Sequence, residues 1–303
     1  MSWTILSLIS AVLLGFYDVA KKMSVRGNAV PIVLLLNVSF GALIWTLMLL
    51  WQLLFGTAGL PSWICVDAID AVGHLALAGK SVLVGASWTL AFYSLKELPL
   101  SIAAPIRATG PVWTLLLAVL LLSERPTLQQ WLGILVVVGS FWALSVVGSR
   151  EGIRFRSDRA VWWMLAATLL GAFSSIYDKL LLQELGFRPA TVQAWFSLYL
   201  VPVMVPLAWR WWREQKRGGR KSDTKFEFRM AILLISPLLL AADMAYFTAL
   251  ADPEALVSIV SPIRRVSVVV AIIAGSRMSG EVNLWRKIAC VLGILGGVVL
   301  LIR

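Results

Sequence analysis

Charge is what this chain has least of. Only 14% of its 303 residues are charged, against 59% hydrophobic, and its mean hydropathy is +0.85. Water-soluble domains carry about 25% charged and about 45–50% apolar residues, so this chain cannot cover a soluble globule of its length. Cysteine is nearly absent as well. Cys65 and Cys290 stand in distant segments, which excludes a disulfide framework and a thiolate metal site. His74 is the only histidine, and no His-Glu-x-x-His occurs to set two imidazoles one helical turn apart for zinc. Gly-x-Ser-x-Gly is missing, so there is no nucleophile elbow. A Tyr-Asp pair inside an apolar run is found in intramembrane aspartyl proteases, but their Gly-x-Gly-Asp partner is absent, and Asp243 sits in Leu-Ala-Ala-Asp. Asp67 and Asp70 make a lone Asp-x-x-Asp, too little to hold a metal diphosphate. These gaps argue against an enzyme: no catalytic residue, metal or cofactor is expected.

Long apolar runs and tryptophan are what the chain does have. Its fifteen tryptophans suit the membrane–water boundary, where indole rings collect. A membrane helix needs roughly 20 mainly apolar residues to cross about 30 Å of hydrocarbon. Ten such runs can be read, at 3–21, 30–54, 73–95, 99–122, 127–147, 160–182, 189–211, 230–250, 255–276 and 284–302. The fold expected is therefore an all-α polytopic bundle of ten transmembrane helices. The first run is no secretory signal, because Lys21 and Lys22 follow its apolar stretch instead of preceding it.

The net charge of +11 does not indicate a nucleic-acid partner, since the basic residues fill short gaps between apolar runs. Odd-numbered loops hold 19 Lys and Arg, whereas the even loops and both ends hold 3. Short cytoplasmic loops accumulate Lys and Arg. The odd loops are thus expected in the cytoplasm and both termini outside, in an integral protein of a bacterial inner (plasma) membrane.

The two halves of the chain resemble each other. Tyr17-Asp18 returns as Tyr177-Asp178, an offset of 160; Pro105-Ile106-Arg107 returns as Pro262-Ile263-Arg264, an offset of 157. Glu124 and Gly139 return at 157 as Glu281 and Gly296. Five spans per half is an odd number, so the second half enters the membrane with reversed polarity. The expected units are residues 1–148 and 160–303, two inverted five-helix repeats. Inverted repeats typify secondary transporters that rock about a midplane site, although an old duplication kept for packing alone would leave the same trace.

Ionisable residues within a span cost about 2.5–3.5 kcal/mol each at the helix centre, and that cost points to function. Arg107 lies about 12 Å into helix four at 1.5 Å per residue, and Arg264 lies similarly deep in helix nine. Arg265 and Lys80 add positive charge nearby. Together they suggest a cationic cavity for an anionic metabolite, because guanidinium groups grip carboxylate and phosphate oxygens. The plain alternative is snorkelling, or an arginine tied to carbonyls that a proline has freed. Asp243 is placed to pair with Lys80 or Arg107, or to carry a proton. Asp18 and Asp178 are candidate gates at opposite mouths, though Asp18 could equally form an ordinary i→i+4 pair with Lys22. Trp88, Tyr246 and Gln193 are candidate lining residues, and Gly293-x-x-x-Gly297 is a helix-contact device. A channel would want polar rings along a pore; two buried arginines and many tryptophans fit a closed carrier site better.

The letters around the repeat also resemble a known family. Pro105-Ile106-Arg107 through Gly110-Pro111, Ser123-Glu124-Arg125-Pro126 and Trp131-Leu132-Gly133 look like the closing part of an EamA domain. The second half echoes them in Ser261-Pro262-Ile263-Arg264, Gly280-Glu281 and Gly296-Gly297, with Cys290 where the first half has Gly133. Two such domains in tandem are the layout of ten-helix members of the drug/metabolite transporter superfamily. The resemblance implies a central cavity lined by helices three, four, eight and nine, with export or exchange of a small metabolite by alternating access. It also implies cytoplasmic termini, opposite to the loop charges. The partners expected are a small-molecule substrate, the lipid bilayer, and a coupled proton or counter-substrate.

Overall fold

The computed structural model describes residues 3–57, 60–122, 127–149, 152, 155–216, 225–253, 255, 260, 263–279 and 284–302. Ser123, Glu124, Arg125, Pro126, Ser261, Pro262, Gly280 and Glu281, singled out by the repeat, lie outside them. The helices are α1 (Trp3–Val25), α2 (Val30–Phe55), α3 (Ala71–Glu97), α4 (Leu100–Ala108), α5 (Gly110–Leu122) and α6 (Leu128–Ser149). They continue with α7 (Arg159–Lys179), α8 (Pro189–Lys216), α9 (Met230–Leu250), α10 (Ser267–Ser279) and α11 (Leu284–Ile302). No strand occurs among the described residues. With α4 and α5 taken as two halves of one crossing, the molecule is an all-α membrane bundle of ten helices. Eight crossings are both long and apolar enough to span a bilayer by themselves.

The break between α4 and α5 follows from Pro111, which has no N–H to offer the Arg107 carbonyl. The chain tightens there instead: the Thr109 N–H donates to Ile106 at 3.2 Å and the Val112 N–H to Thr109 at 3.0 Å, both i→i+3. The second half tightens in the same way just past its own Pro-Ile-Arg. There Val266 donates to Ile263 at 3.1 Å and Val268 to Arg265 at 3.0 Å. Another departure ends α7, where a π-helical turn covers Leu180–Glu184, two residues past Asp178. Such turns are rare and concentrate at functional positions.

Packing shows the repeat as a two-fold arrangement. The most extensive contacts are α1 with α9, α6 with α11, α3 with α7, and α2 with α8. Exchanging the halves turns the α1–α9 pair into α7–α3 and leaves the other two pairs unchanged. All four join one half to the other, so the repeats interlock and do not pack as separate bodies. Hydroxyl groups tie the related pairs alike. Ser10 donates to the Ala242 carbonyl across α1–α9 at 2.7 Å, and Ser87 donates to the Ala167 carbonyl across α3–α7 at 2.8 Å. The outer surface is apolar, with Leu54, Trp142 and Leu135 exposed. In water that surface would drive aggregation; facing lipid tails it is matched.

Gly297 decides how closely α11 meets α6. A Cβ there would come within 2.9 Å of the Gly133 carbonyl oxygen and of the Val137 nitrogen, both backbone atoms that cannot swing aside. Its neighbour Gly296 has nothing within 4 Å of the same added atom. Gly297→Ala should therefore lower the unfolding temperature of the purified protein, by overpacking worth about 1–3 kcal/mol. Gly296→Ala should leave it unchanged, and equal effects of the two would refute the close approach.

Candidate functional site

A cavity of about 140 Å³ lies between the interlocked halves. It is small beside pockets of about 300–1,000 Å³ that hold drug-sized ligands. Its walls come from α1, α3, α4, α7, α8 and α9 and from the break before α10. Arg107, Arg264, Arg265, Lys80, Asp243, Trp88, Tyr246 and Asp178 all line it. Asp18 stands just behind, joined to the cavity through Lys21 and Arg107, which do line it. Gln193 borders a smaller adjoining chamber, where its Nε2 donates to the Leu240 carbonyl at 2.7 Å. His74 takes no part: its Nδ1 meets the Tyr199 hydroxyl at 2.8 Å near the start of α3.

Four ion pairs surround the site, two of them on Asp18. Asp18 Oδ1 accepts from Arg107 at 2.5 Å and from Lys21 at 2.8 Å. Lys80 pairs with Asp178. Arg264 donates to Asp243 Oδ1 at 2.8 Å. Aromatic faces shelter the cations further: the Lys21 ammonium lies 4.4 Å from the Tyr17 ring centre, and the Arg264 guanidinium 3.9 Å from that of Tyr246. Lys80 sits between Phe196 and Phe247, 5.0 and 5.2 Å from their centres. Trp88 stands edge-on to Phe196 with centroids 6.0 Å apart. Arg265 differs from the other cations, since no carboxylate pairs with it among the described residues. Its guanidinium lies against Gly110, where an added Cβ would come 3.1 Å from its terminal nitrogen. The helix breaks of the two halves thus meet at this point, and the missing side chain of Gly110 makes room.

One sequence expectation is corrected by this geometry. Asp18 does not pair with Lys22; its partner on α1 is Lys21, at i+3. Lys22 instead donates to the carbonyls of Leu95 and Leu98 at 2.7 and 2.6 Å, filling acceptors left open where α3 ends. Arg264 and Arg265, although adjacent, both reach the cavity, because the helix gives way to a turn at Arg265 and Val266. Sequence reading missed Lys21, Tyr17 and Phe196. Lys21 was counted as a loop charge because the apolar run stops there, whereas α1 continues to Val25. Its i+3 spacing from Asp18 and i+4 spacing from Tyr17 were the available signals.

A profile of the EamA-like transporter family matches residues 1–146 and again 158–303. The chain belongs to that family. It is an integral membrane protein with two tandem EamA repeats, and the family points to transport. Among curated relatives of this EamA-like chain, an uncharacterized transporter in the cobO 3′ region of a Sinorhizobium species is 28% identical over 145 residues. That match covers 48% of this chain and 97% of the relative. One crystal structure superposes with a TM-score of 0.60 at 15% identity, over 98% of this chain and 95% of that one. At that identity it bears on the fold alone.

Breaking a buried pair strands a charge, which costs about 3–5 kcal/mol, whereas replacing both partners with apolar groups is often neutral. Asp178→Ala should therefore destabilise the bundle strongly, and Lys80→Met with Asp178→Leu should recover most of the loss. Chemical unfolding in detergent measures both. A double variant as unstable as the single would show that the pair does more than cancel charge.

Proposed function

We propose that this EamA-like transporter carries a small organic anion through the central cavity by alternating access. The observation that supports this is the charge balance. Five cations (Lys21, Lys80, Arg107, Arg264 and Arg265) meet around the cavity, and three carboxylates (Asp18, Asp178 and Asp243) answer them. The site holds two more cations than carboxylates. An entering carboxylate or phosphate supplies the missing negative charge and can accept two parallel bonds from a guanidinium. Arg265 is free to take it first. Arg107 can then turn from Asp18 to the anion without stranding Asp18, which keeps Lys21. The gating roles assigned to Asp18 and Asp178 take this form: each holds a cation until the substrate claims it. Inverted, interlocked repeats supply the rocking motion, because either half can tilt against the other about a central site.

In the membrane, this reading puts the basic odd loops in the cytoplasm and both termini outside. Three of the cations counted in those loops, Lys21, Lys22 and Lys287, are buried within helices. The remaining excess still favours that side. Alkaline phosphatase fused after Arg303 should be active in cells and a fluorescent protein at the same place dark; the reverse pattern would invert the topology.

Arg107→Gln is the cleanest test of the anion site, since Asp18 retains a partner and the fold is spared. A hydrogen bond to a charged group is worth about 1.5–3 kcal/mol, so uptake of organic anions into proteoliposomes should fall roughly ten- to hundredfold. The unfolding temperature should stay near that of the native protein. Unchanged anion uptake in the Arg107→Gln, Arg264→Gln double variant, or transport confined to cations, would overturn the proposal.

A further inference from the structure

Far from the cavity, α8 outruns the membrane. Its 28 residues extend about 42 Å at 1.5 Å each, against about 30 Å of hydrocarbon, so its last turns stand among lipid headgroups. Those turns carry stacked cation–aromatic pairs at i→i+4 spacing. The Arg213 guanidinium lies 3.4 Å from the Trp209 ring centre, and the Lys216 ammonium 3.7 Å from that of Trp212. Trp209 and Trp212 are themselves half exposed, at 50% and 48%. Arg210 is neutralised by Glu214 at 2.9 Å. Beside them a groove of about 380 Å³ opens between the end of α8 and the stretch that leads into α9, walled by Trp211, Trp212, Gln215, Lys216, Lys225 and Phe226.

Both charged groups on that groove are lysines, and neither forms an ion pair with a carboxylate among the described residues. The central cavity answers its cations with aspartates; the described residues of this groove include none. We propose that it binds the headgroup of an anionic phospholipid. Lys216 and Lys225 take the phosphate as mobile point donors, and Trp211, Trp212 and Phe226 seat the glycerol and upper acyl carbons, as indole rings do at this depth. A zwitterionic lipid brings its own ammonium or choline against the lysines and gains less. A bilayer lipid fits better than a soluble phosphate because half the groove wall is aromatic and it adjoins the lipid-facing surface of Trp209 and Val205. Basic clusters at the end of a membrane helix attract anionic lipid by charge alone; the ring-walled groove adds a defined seat.

The test uses the full chain, purified and delipidated in detergent, then titrated with phosphatidylglycerol, phosphatidylcholine or inorganic phosphate. Bound lipid is counted by native mass spectrometry and stabilisation is followed by thermal unfolding. Phosphatidylglycerol should be retained over phosphatidylcholine. Lys216→Gln with Lys225→Gln should weaken that retention roughly tenfold or more, with unfolding in the absence of lipid unchanged. Arg188→Gln, which removes a charge paired with Asp67 on the loop between α7 and α8, should have no effect on it. Equal retention of the two lipids, or native phosphatidylglycerol binding by the double variant, would overturn the proposal. So would inorganic phosphate competing as well as the lipid, which would mark a site for soluble anions.

Discussion

Hydrocarbon offers a charge nothing to bind, so each aspartate around the cavity takes a cation from another helix or from its own. That requirement organises the centre of the molecule. Asp18 draws α4 toward α1 through Arg107. Asp178 draws α3 toward α7 through Lys80. Asp243 holds α9 to the break before α10 through Arg264. The helices that these pairs connect all wall the cavity, so the packing of the bundle and the chemistry of the site rest on the same contacts. Buried pairs do not stabilise a fold efficiently, because desolvation consumes most of the Coulombic gain. Their persistence here fits a site whose charges have to exchange partners.

The helix interruptions place those charges. A straight helix through Arg107 would tie up its carbonyls in an unbroken ladder. Pro111 prevents that in the first half, and the tight turns at Val266 and Val268 do the same in the second. Where the two breaks meet, Gly110 yields the space that the Arg265 guanidinium fills. The architecture needs both halves for this. Its most extensive packings cross between repeats, and the cavity belongs to neither repeat alone.

Much of this could be read from the sequence, because its signals are local. Run length gave the spans, offsets of 157 and 160 gave the repeat, and depth along a span singled out Arg107, Arg264 and Lys80. Pairing was not legible. Asp243 was open to Lys80 or Arg107 and instead meets Arg264, which follows it by 21 residues on the next crossing. That choice depends on how two helices are rotated against each other, which no single segment encodes. Lys21 was hidden for a related reason. Its charge looks like the end of a span until Asp18 and the Tyr17 and Phe92 rings surround it.

The scaffold is two-fold but its charges are not, and the difference is informative. At either offset, Lys80 corresponds to Pro237 or Leu240, and Asp243 to Ala86 or Leu83. Arg265 corresponds to Ala108 at 157, and Lys21 to Leu181 at 160. Among the charges around the cavity, only Asp18 with Asp178, and Arg107 with Arg264, are true mates. A chain of one repeat would have to meet a second copy to bury its packing faces, and each charge on it would then appear twice about the axis. Joining the repeats in one chain removes that restriction. One side of the cavity can gain a lysine and the other an aspartate or an extra arginine without duplicating either. A symmetric site favours a symmetric occupant or two equivalent poses. An asymmetric one presents different groups to the two ends of a single occupant.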